Sequence, residues 1–157
     1  MTRKYYQIQN IYPLLKYPER MIAENKLCTM RSSWETKFVT KFLDYRNDVI
    51  EWTSENFFIP YFYPVDKQLH RYFPDFLAKM QDKDGNIFEL LIEIKPYTET
   101  QKPTIPKKQS KAYIERCNTF IKNICKWEAA KKWCESEKQK GRNIRFTLIT
   151  EKDFSFT

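Results

Sequence analysis

The amino-acid sequence predicts a mixed α/β domain. Three observations carry that expectation: two segments with helical spacing of apolar residues, four stretches rich in β-branched and aromatic residues, and an order of α-β-β-β-α-β with no internal repeat. The 157 residues suit one domain, long enough to bury a core without disulfide support. The expected organisation is an N-terminal arm over residues 1–30 and a single domain over 31–157.

The arm is rich in tyrosine and proline, shows little periodicity and reads as an irregular segment laid over the domain. The first helix is expected from about Ser33 to Arg46. Ser32 and Glu35 have capping-box spacing, in which a hydroxyl at the helix start and a carboxylate three residues on satisfy otherwise unpaired backbone N–H groups. Asn47-Asp48 supplies the stop. One stretch rich in strand formers, Val49–Thr53 and Phe57–Tyr63, follows and ends at Pro64. Arg71–Met80 and Ile87–Lys95 read as the two strands of a hairpin, joined by Gln81-Asp82-Lys83-Asp84-Gly85-Asn86, whose Asp, Gly and Asn residues carry turn chemistry. Pro96, Pro103 and Pro106 enclose a polar loop. A long helix is expected from about Lys107 to Lys140, with Tyr113, Cys117, Phe120, Ile124 and Trp127 as its buried stripe. Gly141 caps that helix, and Ile144–Thr150 is the last strand.

Composition narrows the function classes. A chain with 41% hydrophobic and 17% aromatic residues has too much apolar content to remain disordered. No apolar run approaches the roughly 18 residues that span a bilayer, and the N-terminus lacks the pattern of a signal peptide, so a cytosolic setting is expected. Cys28, Cys117, Cys125 and Cys134 form no CxxC pair, which argues for reduced thiols and against a zinc site. His70 is the only histidine, so two-histidine metal sites and paired-histidine acid–base catalysis are excluded. With only Gly85 and Gly141, no phosphate-cradling glycine loop can be built, and ATP-driven work is excluded. The net charge of +8 suits a phosphate backbone, though it suits anionic membranes and acidic proteins equally.

The hairpin concentrates the chemistry. With its loop centred on Asp84, Asp75 falls directly opposite Glu93. Opposed residues of an antiparallel pair project to one face with Cα atoms about 4.5–5.5 Å apart. Two carboxylates so placed repel unless a cation lies between them. Lys95 shares the face because strand side chains alternate with period two. Two acids and an amine at a strand end are a donor set for a small hard cation, with the amine free to serve an attacking water or developing charge. An ordinary surface salt bridge uses the same residue types. Here, however, the charged residues close the apolar run Leu90-Leu91-Ile92, and a charged end on a core strand calls for a reason. Glu35 shares a helix face with Phe38, Val39 and Phe42 at about 100° per residue, and it also fits the capping box.

Arg31-Ser32-Ser33-Trp34-Glu35, Tyr72-Phe73-Pro74-Asp75-Phe76 and Ile92-Glu93-Ile94-Lys95-Pro96 together resemble the PD-(D/E)xK nuclease superfamily, whose members include the transposon endonuclease subunit TnsA and Holliday-junction resolvases. Asn123-x-x-Lys126-Trp127-x-Ala129-Ala130 is similar to one branch, the head completion nucleases of T-even-like contractile-tailed phages. The likeness runs from about Arg31 to Glu151. It implies a restriction-endonuclease-like mixed sheet flanked by helices and a metal-dependent DNA endonuclease. In that reading Asp75, Glu93 and the backbone carbonyl of Ile94 hold Mg²⁺, with Mn²⁺ able to substitute. Lys95 serves the attacking water, and Glu35 completes the catalytic set. The partners implied are double-stranded DNA and phage portal or neck proteins, with no membrane and no nucleotide cofactor. The setting implied is the head–neck region of the virion, and the host cytoplasm during assembly.

Arg31, Arg71, Lys107, Lys108, Asn123 and Lys126 form the candidate nucleic-acid-binding set. Asn123 and Lys126 stand three apart on the long helix and so share a flank beside its apolar stripe. Without the resemblance they read as a solvated flank. Two other functions stay open: a structural head-completion or neck protein without essential catalysis, and a restriction or repair nuclease with no virion role. The absence of a separate target-recognition domain counts against a sequence-specific restriction enzyme.

Overall fold

The computed structural model describes residues 7–54 and 57–157. The first six residues of the arm therefore lie outside the described residues. A two-residue strand β1 (Gln9–Asn10) pairs antiparallel with β2 (Thr29–Met30), and the chain between them makes short 3₁₀ turns. Ile11, Met21, Cys28 and Met30 are buried in the main core, so this segment closes one side of it. The Asp44 carboxylate accepts from the backbone N–H groups of Lys16 and Tyr17, which pins the segment down.

Helix α1 (Ser33–Phe38) starts where the capping box predicts, with Ser32 Oγ accepting from the Glu35 N–H at 3.2 Å. Its end differs from the expectation of Arg46. The last turn, Val39–Leu43, is a π-turn closed by the Asp44 N–H on the Val39 carbonyl, and the helix is finished by Asp44. The wider turn still buries Phe38, Val39 and Leu43.

Six strands follow from here: β3 (Val49–Ser54), β4 (Ile59–Tyr63), β5 (Gln68–Tyr72), β6 (Phe76–Gln81), β7 (Ile87–Ile94) and, after the long helix α2 (Lys111–Gln139), β8 (Ile144–Ile149). The main sheet has the order β3-β6-β7-β8. Its first three strands are antiparallel, while β7 and β8 are parallel and joined by the α2 crossover. This is a mixed α/β, restriction-endonuclease-like fold.

The expected strand Arg71–Met80 is in fact two. β5 pairs with β4 in a separate hairpin, and β6 belongs to the main sheet. Buried Pro74 marks the break: it has no N–H for a ladder and forces the chain from one sheet to the other. The β6–β7 register is the one a loop centred on Asp84 requires, Phe76 opposite Ile92 and Gln81 opposite Ile87. In the loop the Asp82 carboxylate accepts from the Asp84 and Asn86 N–H groups, and Gly85 takes a φ of 84°.

β7 is buried from Leu90 to Ile94 because both faces of the sheet are covered. Leu90, Ile92 and Ile94 join Trp52, Phe76 and Phe38 on the α1 side. Leu91 joins Trp127, Ala130 and Cys134 of α2 together with Tyr61 and Tyr72 of the small hairpin. Two further expectations are corrected in α2. It begins at Lys111, where Ser110 Oγ accepts from the Tyr113 N–H, so Lys107 and Lys108 stand in the exposed loop before it. Its buried stripe is Asn123, Trp127, Ala130 and Cys134, and Ile124 is exposed. All four cysteines are free thiols. Burial pushes Cys28 up to about 12 and Cys134 to about 11. Among the described residues no helix is long and apolar enough to cross a membrane.

Candidate active site

Asp75 is the first residue after Pro74 and precedes β6, so its side chain leans onto the end of β7 just before the ladder begins. Its Oδ2 accepts from the Ile94 N–H at 2.8 Å. An extended residue points its N–H and C=O to the same strand edge, so the Ile94 carbonyl faces the Asp75 side as well. Glu93, on the opposite sheet face from the Ile94 side chain, is 5% exposed. Its Oε2 accepts from the Tyr72 hydroxyl at 2.6 Å, and its Oε1 lies 3.7 Å from Lys95 Nζ. Asp75 thus has one oxygen held by a backbone donor, while Glu93 is held by the Tyr72 hydroxyl and also feels the Asp75 backbone N–H. Asp75 Oδ1 takes no hydrogen bond from a described residue, and Glu93 Oε1 faces Lys95 beyond hydrogen-bond length.

The electrostatics follow from this crowding. Burial raises the Asp75 carboxyl well above the usual range, and the charge of Glu93 raises it further, against the opposing Ile94 N–H. Glu35 adds a smaller upward push, and Lys95 a downward one. Glu93 is also raised by burial, and Lys95, the Tyr72 hydroxyl, Lys126 and the Asp75 backbone N–H hold it partly down. Lys126 comes from α2, half-buried, with its ammonium 5.7 Å from the centre of the Tyr72 ring and 6.0 Å from that of Tyr61. Burial lowers its pKa, while Glu93 and Asp75 pull it back up. Two carboxylates and two amines therefore share one electrostatic neighbourhood at the carboxyl end of β7.

Asp75, Glu93, Lys95, Ile94 and Lys126 are brought together. Glu35 is buried at the start of α1, where Ser32 Oγ donates to its Oε2 at 2.9 Å, and it reaches Asp75 through its charge. Asn123 lies inside the buried stripe of α2, not on a solvated flank. Arg31 is exposed beside the α1 cap, Arg71 is exposed on β5, and Lys107 and Lys108 are exposed before α2. Sequence reasoning missed Tyr72. Its signal was its place three residues before Asp75, but its aim at Glu93 depends on β5 leaving the main sheet.

Among the described residues no three His, Cys, Asp or Glu side chains are spaced to hold a metal ion. Two neighbouring carboxylates beside a backbone carbonyl suit a small hard cation that keeps most of its waters and takes phosphate oxygens. Such a cation would relieve the repulsion that raises Asp75.

The chain belongs to a nuclease family: residues 46–151 match the family described as TnsA-like endonuclease N terminal. More particularly, the chain is similar to the head completion nuclease of Enterobacteria phage T4, with 38% identity over 133 residues that cover 82% of each chain. No solved structure matches the chain.

Proposed function

We propose that this chain is a divalent-metal-dependent endonuclease that hydrolyses phosphodiester bonds of double-stranded DNA during phage head completion. The observation that carries the reading is the buried carboxylate pair Asp75 and Glu93 beside Lys95, with Asp75 Oδ2 held by the Ile94 N–H and Glu93 Oε2 by the Tyr72 hydroxyl. Asp75, Glu93 and the Ile94 carbonyl are the residues that would hold Mg²⁺ or Mn²⁺. When bound, the cation supplies Lewis acidity toward the phosphoryl oxygen and lowers the pKa of a bound water. Lys95, 29% exposed at its side chain, sits where it can orient the attacking water against the Glu93 oxygen. Lys126 presents an ammonium with reduced hydration to the phosphate, and preorganised charge of this kind stabilises the transition state without reorganising solvent. Glu35 keeps the local field negative from α1, as the fourth member of the catalytic set.

The T4 relative is named for head completion, which supports placing this chain at that stage of assembly. Docking on portal or neck proteins, and a place in the virion as well as the host cytoplasm, are the finer part of the proposal. Plasmid nicking and linearisation with Mg²⁺ or Mn²⁺ tests the chemistry. Wild type should cut and Glu93→Ala should not. Equal cutting by both would remove the site from the reaction, and no cutting by either would favour a structural head-completion protein. Immunoblotting of purified virions tests the location.

A further inference from the structure

The outer face of the β4–β5 hairpin stands apart from the rest of the surface. Its inner face packs Ile59, Tyr61 and Tyr72 against α2. The outer face leaves Phe58 and Phe73 each 45% exposed, with ring centres 5.8 Å apart and planes tilted by 52°. The Arg71 guanidinium lies over the Phe58 ring at 4.9 Å. Further along the same face the paired Phe62 and Leu69 are also exposed. Single exposed apolar residues are ordinary, but touching aromatic rings in a contiguous patch mark a contact surface.

Two features say what the patch receives. Among the described residues no carboxylate stands on this strand face, and Arg71 makes no ion pair there, so the aromatic rings are presented with a positive charge. Phe73 is also two residues from Asp75 through Pro74, which places its Cα within about 7 Å of that of Asp75. Aromatic side chains flanked by arginine hold nucleobases by stacking, and they need a base freed from its own stack.

We infer that Phe58 and Phe73, with Arg71, form a stacking platform for an unpaired base beside the scissile phosphate. The DNA taken best by this site is then one whose strands separate at the cleavage point: a fork, a flap or a frayed end. This deepens the nuclease reading and rests on it for the position of the phosphate.

The test compares wild type, Phe58→Ala and Phe73→Ala in binding a blunt duplex and the same duplex ending in a fork, with 2-aminopurine at the first unpaired position. Ca²⁺ replaces Mg²⁺ so that binding is read without turnover. Wild type should bind the fork about tenfold more tightly than the blunt duplex and quench the probe. Each variant should lose about fivefold or more on the fork, the size of one lost stack, relieve the quench, and stay within about twofold of wild type on the blunt duplex. Equal binding of both DNAs by wild type overturns the inference, as do variants that match wild type on the fork or weaken equally on both DNAs. Failure of the nuclease reading looks different: wild type then cuts neither DNA with Mg²⁺ or Mn²⁺, whatever its binding preference.

Discussion

The Tyr72 hydroxyl donates to Glu93 Oε2 at 2.6 Å, between two side chains that are both almost wholly buried. The bond fixes which Glu93 oxygen faces Lys95, and its donor belongs to a hairpin outside the main sheet. Tyr72→Phe keeps the ring in its place beside Leu91 and Trp127 and removes only the donor. We expect cleavage to need about tenfold or more extra Mn²⁺ for half-maximal rate, the range seen when a partner that orients a metal ligand is lost. The rate should recover substantially at saturating metal. A Mn²⁺ titration of plasmid nicking reads this directly, and an unchanged titration curve would leave Tyr72 a packing residue.

Asp75 and Glu93 give the metal-free protein a pH signature. Both carboxyls are raised in the fold, Asp75 by burial and by Glu93, and Glu93 by burial. A raised folded-state pKa means that the native state binds the proton more tightly than the unfolded chain does. The stability linked to that proton is present at low pH and is lost as pH rises through the raised value. Asp75→Asn removes one of the two charges. We expect its melting temperature without metal, at neutral pH, to exceed that of wild type by about 2–4 °C, roughly one kcal/mol for a domain of this size. The gap should close as pH falls below the raised carboxyl range. Mn²⁺ should raise the wild-type melting temperature and leave that of Asp75→Asn nearly unmoved. Thermal melts over a pH series, with EDTA and with Mn²⁺, check all three points, and a variant less stable than wild type at neutral pH would contradict the repulsion argument.

How far the sequence reaches is clear from particular residues. The β6–β7 register is legible because turn chemistry centres the loop on Asp84 and the strand period then places every later pair. The start of α1 is legible because Ser32 and Glu35 act locally. Pro74 is visible in the sequence, but its consequence is not. Tyr72 and Phe76 lie four residues apart and belong to different sheets, and partner choice is a long-range matter. Asn123 reads as a flank when the apolar stripe is drawn through Ile124. The helix instead turns Asn123, Trp127, Ala130 and Cys134 inward and leaves Ile124 at 39% exposure. Tertiary packing chooses that face over the apolar spacing. The early π-turn at Val39–Leu43 leaves no trace in capping residues either.

Lys95 is expected to act on the reaction and not on affinity. Its Nζ lies 3.7 Å from Glu93 Oε1 with much of the side chain covered, a position toward the reacting centre and away from the open surface. Lys95→Ala should abolish plasmid nicking while changing duplex binding in Ca²⁺ by less than about twofold. Loss of an interaction made only in the transition state has that pattern. Gel shifts beside single-turnover cleavage measure both properties. Retention of cleavage within a few-fold of wild type would reduce Lys95 to a salt-bridge partner of Glu93.

Lys126 separates a cleft residue from a docking residue. It reaches the site from α2 over the rings of Tyr61 and Tyr72, its charge balanced between Glu93 and Asp75 on one side and Lys95 and Lys122 on the other. Under the proposed function an ammonium held there would meet the DNA phosphate next to the scissile bond, and each phosphate neutralised releases condensed counterion. Lys126→Ala should therefore weaken binding equally across unrelated duplex sequences and flatten the dependence of log affinity on log salt by about one unit. Lys138 is the internal control. It lies near the far end of α2, exposed and paired with Glu135 at 2.9 Å. Lys138→Ala should leave both affinity and salt slope as they are. If the α2 flank serves a virion partner instead, Lys126→Ala will bind DNA as wild type does and fail only in the assembly of infectious particles. Affinity measured at four salt concentrations, beside complementation of a phage lacking the functional gene, reads the two roles on one variant. Unchanged DNA affinity would take Lys126 out of the cleft.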